Sequence, residues 1–297
     1  ATRHAAVGRA VLTDDIRLAY PPVGRAKLDR LLALPEHLDL KLALDSVDVL
    51  EPLAAASAAS GRTVGVLAEE DVGMGRVGVQ NSEAVLALAR RARELDGVDF
   101  RGVLFYPGHI RMEEAGQDEH LAVVRDRVSA TVGALREEEL SPEIVSGGST
   151  PTLWRSHEMG PLTEIRSGSC IYFDREGLDV GVAGSEDLAY TVLATVVSTA
   201  VPGHAVVDAG SKALAKESRG GGGGFGVLLD RPEVRVTGLS EEHGVLDLSG
   251  TDWAPRIGER VRIVPNHVCV SVNLQDRLLS LDDDTYGFVE LEGRGRV

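Results

Sequence analysis

Two glycine-rich turns have the composition of an anion cradle: Ser146-Gly147-Gly148-Ser149-Thr150 and Ser167-Gly168-Ser169-Cys170. Glycines let successive backbone N–H groups converge on one anion, and the hydroxyls of Ser149, Thr150 and Ser169 add donors, so a phosphate is the natural guest. Either turn alone would also serve as an ordinary tight turn. A second set of candidates comprises Arg76, in the glycine-punctuated run 69–78, and Tyr106 and His109 in Phe105-Tyr106-Pro107-Gly108-His109. An arginine, a phenol and an imidazole at one mouth can contact a charged ligand, although each is also common in salt-bridged surface loops. The third is the pair His267 and Cys269 in Pro265-Asn266-His267-Val268-Cys269-Val270. Read as a strand, positions i and i+2 share a face, so imidazole and thiol can hold one cation, and N,S ligation favours zinc. A buried thiol beside a hydrogen-bonded imidazole is the alternative. No third ligand is evident, which weighs against a metallohydrolase.

These residues need elements to position them. From the start to about residue 175, short apolar runs alternate with amphipathic ones. Strands are expected at 16–20, 40–45, 63–71, 101–106, 143–146 and 163–166, and helices at 26–34, 47–60, 82–95 and 113–140. Asn81 is a natural helix N-cap, and Gly61 and Gly97 stand where C-terminal caps belong. Such alternation means parallel α/β architecture. The two glycine turns follow the last two strands, as phosphate loops follow strands 7 and 8 of a (β/α)8 TIM-type barrel. The six strands are therefore expected to be strands 3 to 8 of an N-terminally truncated barrel. After about residue 188 the texture becomes β-rich, with strands expected at 191–200, 205–209, 226–229, 234–237, 261–264, 268–274 and 287–291. The expected domains are 1–185, the barrel, and 186–297, a mainly β domain. The glycine run 220–224 reads as a flexible loop, and 241–244 as a polar turn.

Composition narrows the function. The 297 residues hold 31 Lys+Arg against 46 Asp+Glu, a formal charge of −15. That balance argues against nucleic acid, whose recognition rests on basic side chains. With 43% hydrophobic and 26% charged residues the chain is an ordinary globular one. No apolar stretch nears the ~18 residues of a membrane helix, and the start has no signal-peptide core, so a cytoplasmic address is expected. Two cysteines, Cys170 and Cys269, make no disulfide framework.

Seven segments occur in an order that resembles one family. They are Asp71-x-Gly73-x-x-Arg76-x-Gly78, Tyr106-x-Gly108-His109, the Ser146–Thr150 turn, Thr163-Glu164-Ile165-Arg166-Ser167-Gly168-Ser169, Asp208-Ala209-Gly210-Ser211-Lys212-Ala213, Glu241-Glu242-His243-Gly244 and Pro265-Asn266-His267-Val268-Cys269. Together they resemble the D-threonine aldolase and D-serine dehydratase group of fold-type III pyridoxal-phosphate enzymes. The resemblance implies an alanine-racemase-like barrel that binds pyridoxal 5'-phosphate at its mouth, followed by a β domain holding a divalent metal. It implies that Gly147, Gly148, Ser149, Thr150, Gly168, Ser169 and Cys170 grip the phosphate, that Arg76 contacts the cofactor near its ring, and that Tyr106 and His109 line the pocket. His267 and Cys269 match the metal ligands, for zinc by the softness of a thiolate, with manganese or magnesium as alternatives. The implied reaction is dehydration of a small D-β-hydroxy-α-amino acid such as D-serine or D-threonine. Aldol cleavage to glycine and an aldehyde is the alternative, and the full-length protein would be a homodimer.

One departure stands out. The family's Schiff-base lysine lies in a Pro-His-x-Lys-Thr-His-Lys-like segment at the end of the first barrel strand, and none of Lys27, Lys41, Lys212 and Lys216 matches it. Ala1-Thr2 aligns with the tail of the second strand, so truncation is expected; a homologue that has lost catalysis is the other possibility.

Overall fold

A computed structural model describes residues 13–218, 223–282 and 285–295. The alignment of Ala1-Thr2 and most of the 220–224 loop lie outside the described residues. One compact unit ends at Ser167 and a second runs from Gly168 to Gly295.

In the first unit the elements are β1 (Asp15–Leu18), α1 (Arg25–Leu32), β2 (Asp39–Leu44), α2 (Val47–Ala59), β3 (Val64–Glu70), α3 (Ser82–Glu94), β4 (Val98–Phe105), α4 (Asp118–Glu137), β5 (Ile144–Gly147) and β6 (Glu164–Ile165). All six strands pair in parallel, in sequence order. The helices start where local chemistry says they should: Ser46 accepts the Asp48 N–H and Asn81 the Ala84 N–H. Their apolar stripes, including Leu28, Leu31, Leu50, Leu53, Val85 and Val128, bury against the outer face of the sheet to form the main core.

The sheet is curled. Arg17 of β1 and Glu164 of β6, on the two edge strands, form an ion pair with each other. A flat six-stranded sheet with strands about 4.8 Å apart would hold them far beyond reach. Ala43, Leu67, Leu104 and Ile144 form a second small apolar cluster, and Lys41, 2% exposed, is paired with Asp15 at 2.9 Å and Asp39 at 2.5 Å. The curl has a local device. The register of β3 against β4 shifts at Val66/Leu67, and Gly102 beside the shift has φ +147°, where an added Cβ would lie 1.9 Å from the Ile144 carbonyl oxygen. Only glycine fits there.

The second unit contains α5 (Arg175–Asp179), β7 (Val192–Ser198), β8 (His204–Val207), α6 (Ser211–Leu214), β9 (Gly226–Leu228), β10 (Arg235–Leu239), β11 (Gly244–Asp247), β12 (Arg260–Pro265), α7 (Val268–Asn273), β13 (Arg277–Asp282) and β14 (Thr285–Glu290). Strands β7 to β12 close an antiparallel barrel in the order β10-β11-β8-β7-β12-β9, filled by residues such as Val196, Val207, Val236, Leu246 and Ile263. β13 and β14 form a separate hairpin. The polar 241–244 segment is the β10–β11 turn, closed by the Ser240 N–H to the His243 carbonyl. Strands β11 and β13 were not anticipated.

The strand expected at 268–274 is instead a helix, α7. Valines at 268, 270 and 272 imitate the two-residue period of a half-buried strand, and β-branched residues favour strands. Tertiary partners decide otherwise. The Asp174 carboxylate accepts the Val268 N–H at 2.8 Å, and fully buried Ser271 donates to the Ala213 carbonyl at 2.6 Å. Among the described residues, no helix is long and apolar enough to cross a membrane.

Candidate cofactor and metal sites

β3 ends in the acidic run Glu69-Glu70-Asp71, and its last carboxylate builds the loop that follows. Asp71 accepts the N–H groups of Gly73 at 3.0 Å and Gly75 at 3.1 Å and the Gln80 side-chain amide at 3.3 Å, while Asp45 accepts the Gly78 N–H at 2.9 Å. Burial pushes the Asp71 carboxyl up, but hydrogen bonds from Gly75, Gly73, Gln80 and Met74 outweigh it and hold the group below its ordinary value. The loop so fixed sets the Arg76 guanidinium over the Tyr106 ring, 5.0 Å from its centroid. His109 packs against Gly73 of the same loop and meets His120 edge-on at 6.1 Å. Burial and then the neighbouring His120 keep its imidazole below the usual range. The structure thus brings Arg76, Tyr106 and His109 to one loop cluster, where Glu69, Asp71, Met74, Arg76 and Tyr106 line a narrow cleft.

Two residues absent from the sequence-level candidates belong here. Arg166 donates to the Ser146 hydroxyl at 2.9 Å and to the Phe105 carbonyl at 2.5 Å, tying the ends of β4, β5 and β6 together. Burial lowers its pKa, against the pull of Glu69 and Glu164. Glu69 is raised by burial, only partly offset by Arg166 and Arg76. Burial is what marks them out, and a strand-end charge in a sequence carries no sign of it.

The first glycine turn lies in the first unit; the second begins at that unit's last residue, Ser167, and continues into the second unit. In the first, buried Ser149 and Thr152 share a hydroxyl contact at 3.0 Å, and Thr150 meets the Ser167 hydroxyl at 2.9 Å. Several hydroxyls and a turn with Gly148 at φ +82° therefore stand together, as an anion site requires. In the second, Gly168 precedes a single 3-10 turn, Ser169–Ile171, and the space beside its α-carbon is open. The Nδ1 of His109 is a buried polar atom without a hydrogen-bond partner among the described residues. The hydroxyls gathered at the first turn fit a phosphate-bearing cofactor.

The metal candidates converge in the second unit, though not as a strand face. His267 is the extended residue before α7, and Cys269, exposed, lies in its first turn. The two are still neighbours, close enough for Cys269 to raise the imidazole's pKa. The sequence showed no third ligand; the structure places two carboxylates beside the ring. Asp174, Glu176 and His267 offer ligand atoms that all lie within 4.8 Å of one another. Asp174 is in contact with His267 Nδ1 at 3.1 Å, whereas Glu176 stands at 4.0 Å. The Asp174 hydrogen bond, then Cys269, raises the imidazole to about 10 against the opposing effect of burial. A mixed N, S and O donor set of this kind fits a borderline divalent cation. Asp174 and Glu176 lie some ninety residues from His267, a pairing that no local pattern announces.

The family described as alanine racemase, N-terminal domain, matches residues 11–176, and the serine dehydratase domain family matches residues 189–281. D-threonine aldolase of an Arthrobacter species is 32% identical over 289 residues, covering 95% of this chain and 74% of that protein. The chain belongs to the D-threonine aldolase and D-serine dehydratase family of fold-type III pyridoxal-phosphate enzymes. Within this family, D-threo-3-hydroxyaspartate dehydratase of Delftia sp. (strain HT23) is 34% identical over 256 residues, covering 78% of this chain and 66% of its own. The crystal structure of D-threonine aldolase from Filomicrobium marinum superposes with a TM-score of 0.91 at 29% identity, over 100% of this chain and 81% of that one. The chain thus spans about two thirds to three quarters of the length of these curated relatives.

Proposed function

We propose that this chain is a pyridoxal-phosphate- and zinc-dependent lyase of the D-serine or D-threonine dehydratase type, acting on small D-β-hydroxy-α-amino acids. The observation that carries the reading is the His267 cluster: an imidazole with a thiol beside it and carboxylates behind it. Thiolate with imidazole suits zinc, and the ion held by His267 and Cys269 would supply a Lewis acid for a substrate β-oxygen. Pyridoxal phosphate, when bound, supplies an electron sink for the bond broken at the substrate α-carbon. In this reading Gly147, Gly148, Ser149 and Thr150, with Gly168, Ser169 and Cys170, hold the phosphate. Arg76 on Tyr106, with His109, orients the ring and keeps water from its edge.

D-threonine aldolase activity is the second reading. The carboxylates of Asp174 and Glu176 are harder donors that suit manganese or magnesium, and the Arthrobacter aldolase matches nearly the whole chain. As architecture we propose strands 3 to 8 of a (β/α)8 barrel, with residues 1–185 for the cofactor and 186–297 for the metal, Asp174 lending its carboxylate to His267 from before that boundary. A cytoplasmic homodimer completes the proposal. No lysine is assigned the covalent role: Lys41 is buried between Asp15 and Asp39, Lys212 is paired with Glu242, and Lys27 and Lys216 are exposed.

The test supplies the chain with pyridoxal phosphate and zinc and compares D-serine, D-threonine and their L enantiomers at near-stoichiometric substrate. Pyruvate and 2-oxobutanoate from the D enantiomers, abolished by a chelator, are expected. Glycine and acetaldehyde in excess would turn the reading to the aldolase. Binding of D-amino acid without any product would make the chain a non-catalytic homologue, and indifference to both enantiomer and chelator would overturn the proposal.

A further inference from the structure

The start of α5 docks on the residues that precede α7 with a one-to-one match. Arg175 donates to the Asn266 side-chain oxygen at 3.2 Å, and Asn266, 1% exposed, donates in turn to the carbonyls of Glu217 at 2.9 Å and Gly224 at 2.8 Å. One residue earlier, Asp174 faces His267, one residue later. The Asp174 carboxylate, 3% exposed, has both oxygens occupied: Oδ1 accepts the Gly177 N–H at 3.2 Å, and Oδ2 accepts the Val268 N–H at 2.8 Å while lying 3.1 Å from His267 Nδ1. Surrounded by N–H donors, this carboxylate acts as an acceptor, so Nδ1 is the protonated nitrogen and donates to it.

A cation bound among Asp174, Glu176 and Nδ1 would have to displace the hydrogen bond between Nδ1 and Asp174 and share oxygens that already accept the buried Val268 and Gly177 N–H groups. A cation bound through the opposite nitrogen disturbs none of them. We propose that Asp174 is a positioning residue: it holds His267 with a proton on Nδ1 and presents Nε2, together with Cys269, to the metal, so that the carboxylate trio is not the ligand set. This rests on the reading of His267 and Cys269 as metal ligands. Carboxylates behind a ligating imidazole orient the ring and raise its basicity, and their loss weakens metal binding by about 10- to 100-fold.

Zinc affinity of the full chain, measured by chelator competition, tests the assignment. Asp174→Ser keeps a cap for α5 but withdraws the acceptor from the imidazole, and should weaken zinc by about 10- to 100-fold. Asp174→Asn retains an acceptor oxygen and should lose less than Asp174→Ser. Glu176→Gln should stay within about threefold of the unmodified chain, since its carboxylate stands 4.0 Å from Nδ1, farther than that of Asp174 at 3.1 Å. Independently of any variant, the unmodified chain labelled with nitrogen-15 histidine and loaded with cadmium-113 should show metal–nitrogen coupling at Nε2 of His267. Coupling at Nδ1, an unchanged Asp174→Ser, or a Glu176→Gln as damaging as Asp174→Ser would each overturn the proposal. If neither His267→Ala nor Cys269→Ala weakens zinc, the metal reading itself falls and takes this one with it.

Discussion

Asp71 gathers the N–H groups of Gly73 and Gly75 and the Gln80 amide onto one carboxylate, and so fixes the loop that carries Arg76. Its pKa is held below the ordinary value, so it contributes stability that is present above the unfolded carboxyl value of about 4 and is lost as pH falls through the lower native one. Asp71→Asn should therefore be less stable than the parent at neutral pH, by about 1.5–3 kcal/mol, with the gap narrowing below about pH 4. Urea unfolding across that range is the measurement, and cofactor affinity should fall in parallel. Cys269 poses a different question, of metal softness. Cys269→Ala should lose most bound zinc, and Cys269→Asp should keep a site but shift it toward manganese or magnesium. Metal analysis by mass spectrometry decides, and unchanged zinc in Cys269→Ala would make this thiol an incidental neighbour of His267.

At the scale of elements, α7 is the segment whose form depends most on its surroundings. Six residues with three valines would not form a helix in isolation. Asp174 caps its first N–H, and Ser271 links it to two neighbours, donating to the Ala213 carbonyl and meeting the Tyr190 hydroxyl at 3.0 Å. Ser271→Ala would leave the buried Tyr190 hydroxyl unpaired and is expected to cost about 1–3 kcal/mol. Because α7 carries Cys269 and begins beside His267, bound zinc should recover part of that loss. Denaturant titrations with and without zinc check both statements.

On the scale of the whole molecule, the four lysines lie away from the phosphate turns along the chain and are otherwise engaged or exposed. Pyridoxal phosphate should consequently bind reversibly, through the phosphate turns and Arg76. Borohydride reduction followed by peptide mapping is expected to yield no single phosphopyridoxyl-lysine; one such product at Lys27, Lys41, Lys212 or Lys216, accompanied by turnover, would contradict it. The parallel sheet also ends in β1 and β6, strands without further strand partners among the described residues. Open strand edges invite pairing, which the formal charge of −15 opposes. Self-association that strengthens as salt screens this charge is expected in light scattering.

Much of the fold is written in local pattern. Six strands alternating with helices, the Asn81 cap and the change to β-rich texture follow from hydrophobic periodicity and capping chemistry, which act over a few residues. Each glycine turn, and the loop bearing Arg76, could be read for the same reason. What the tertiary structure alone decided are matters of long-range contact. The curl that joins Arg17 to Glu164, the burial of Glu69 and Arg166, and the helical form of 268–273 depend on neighbours far away in sequence. So does the metal cluster, where Asp174 reaches across the fold to His267. A valine-rich run carries the same period whether it pairs as a strand or is capped into a helix, and only distant partners such as Asp174, Ala213 and Tyr190 distinguish the two.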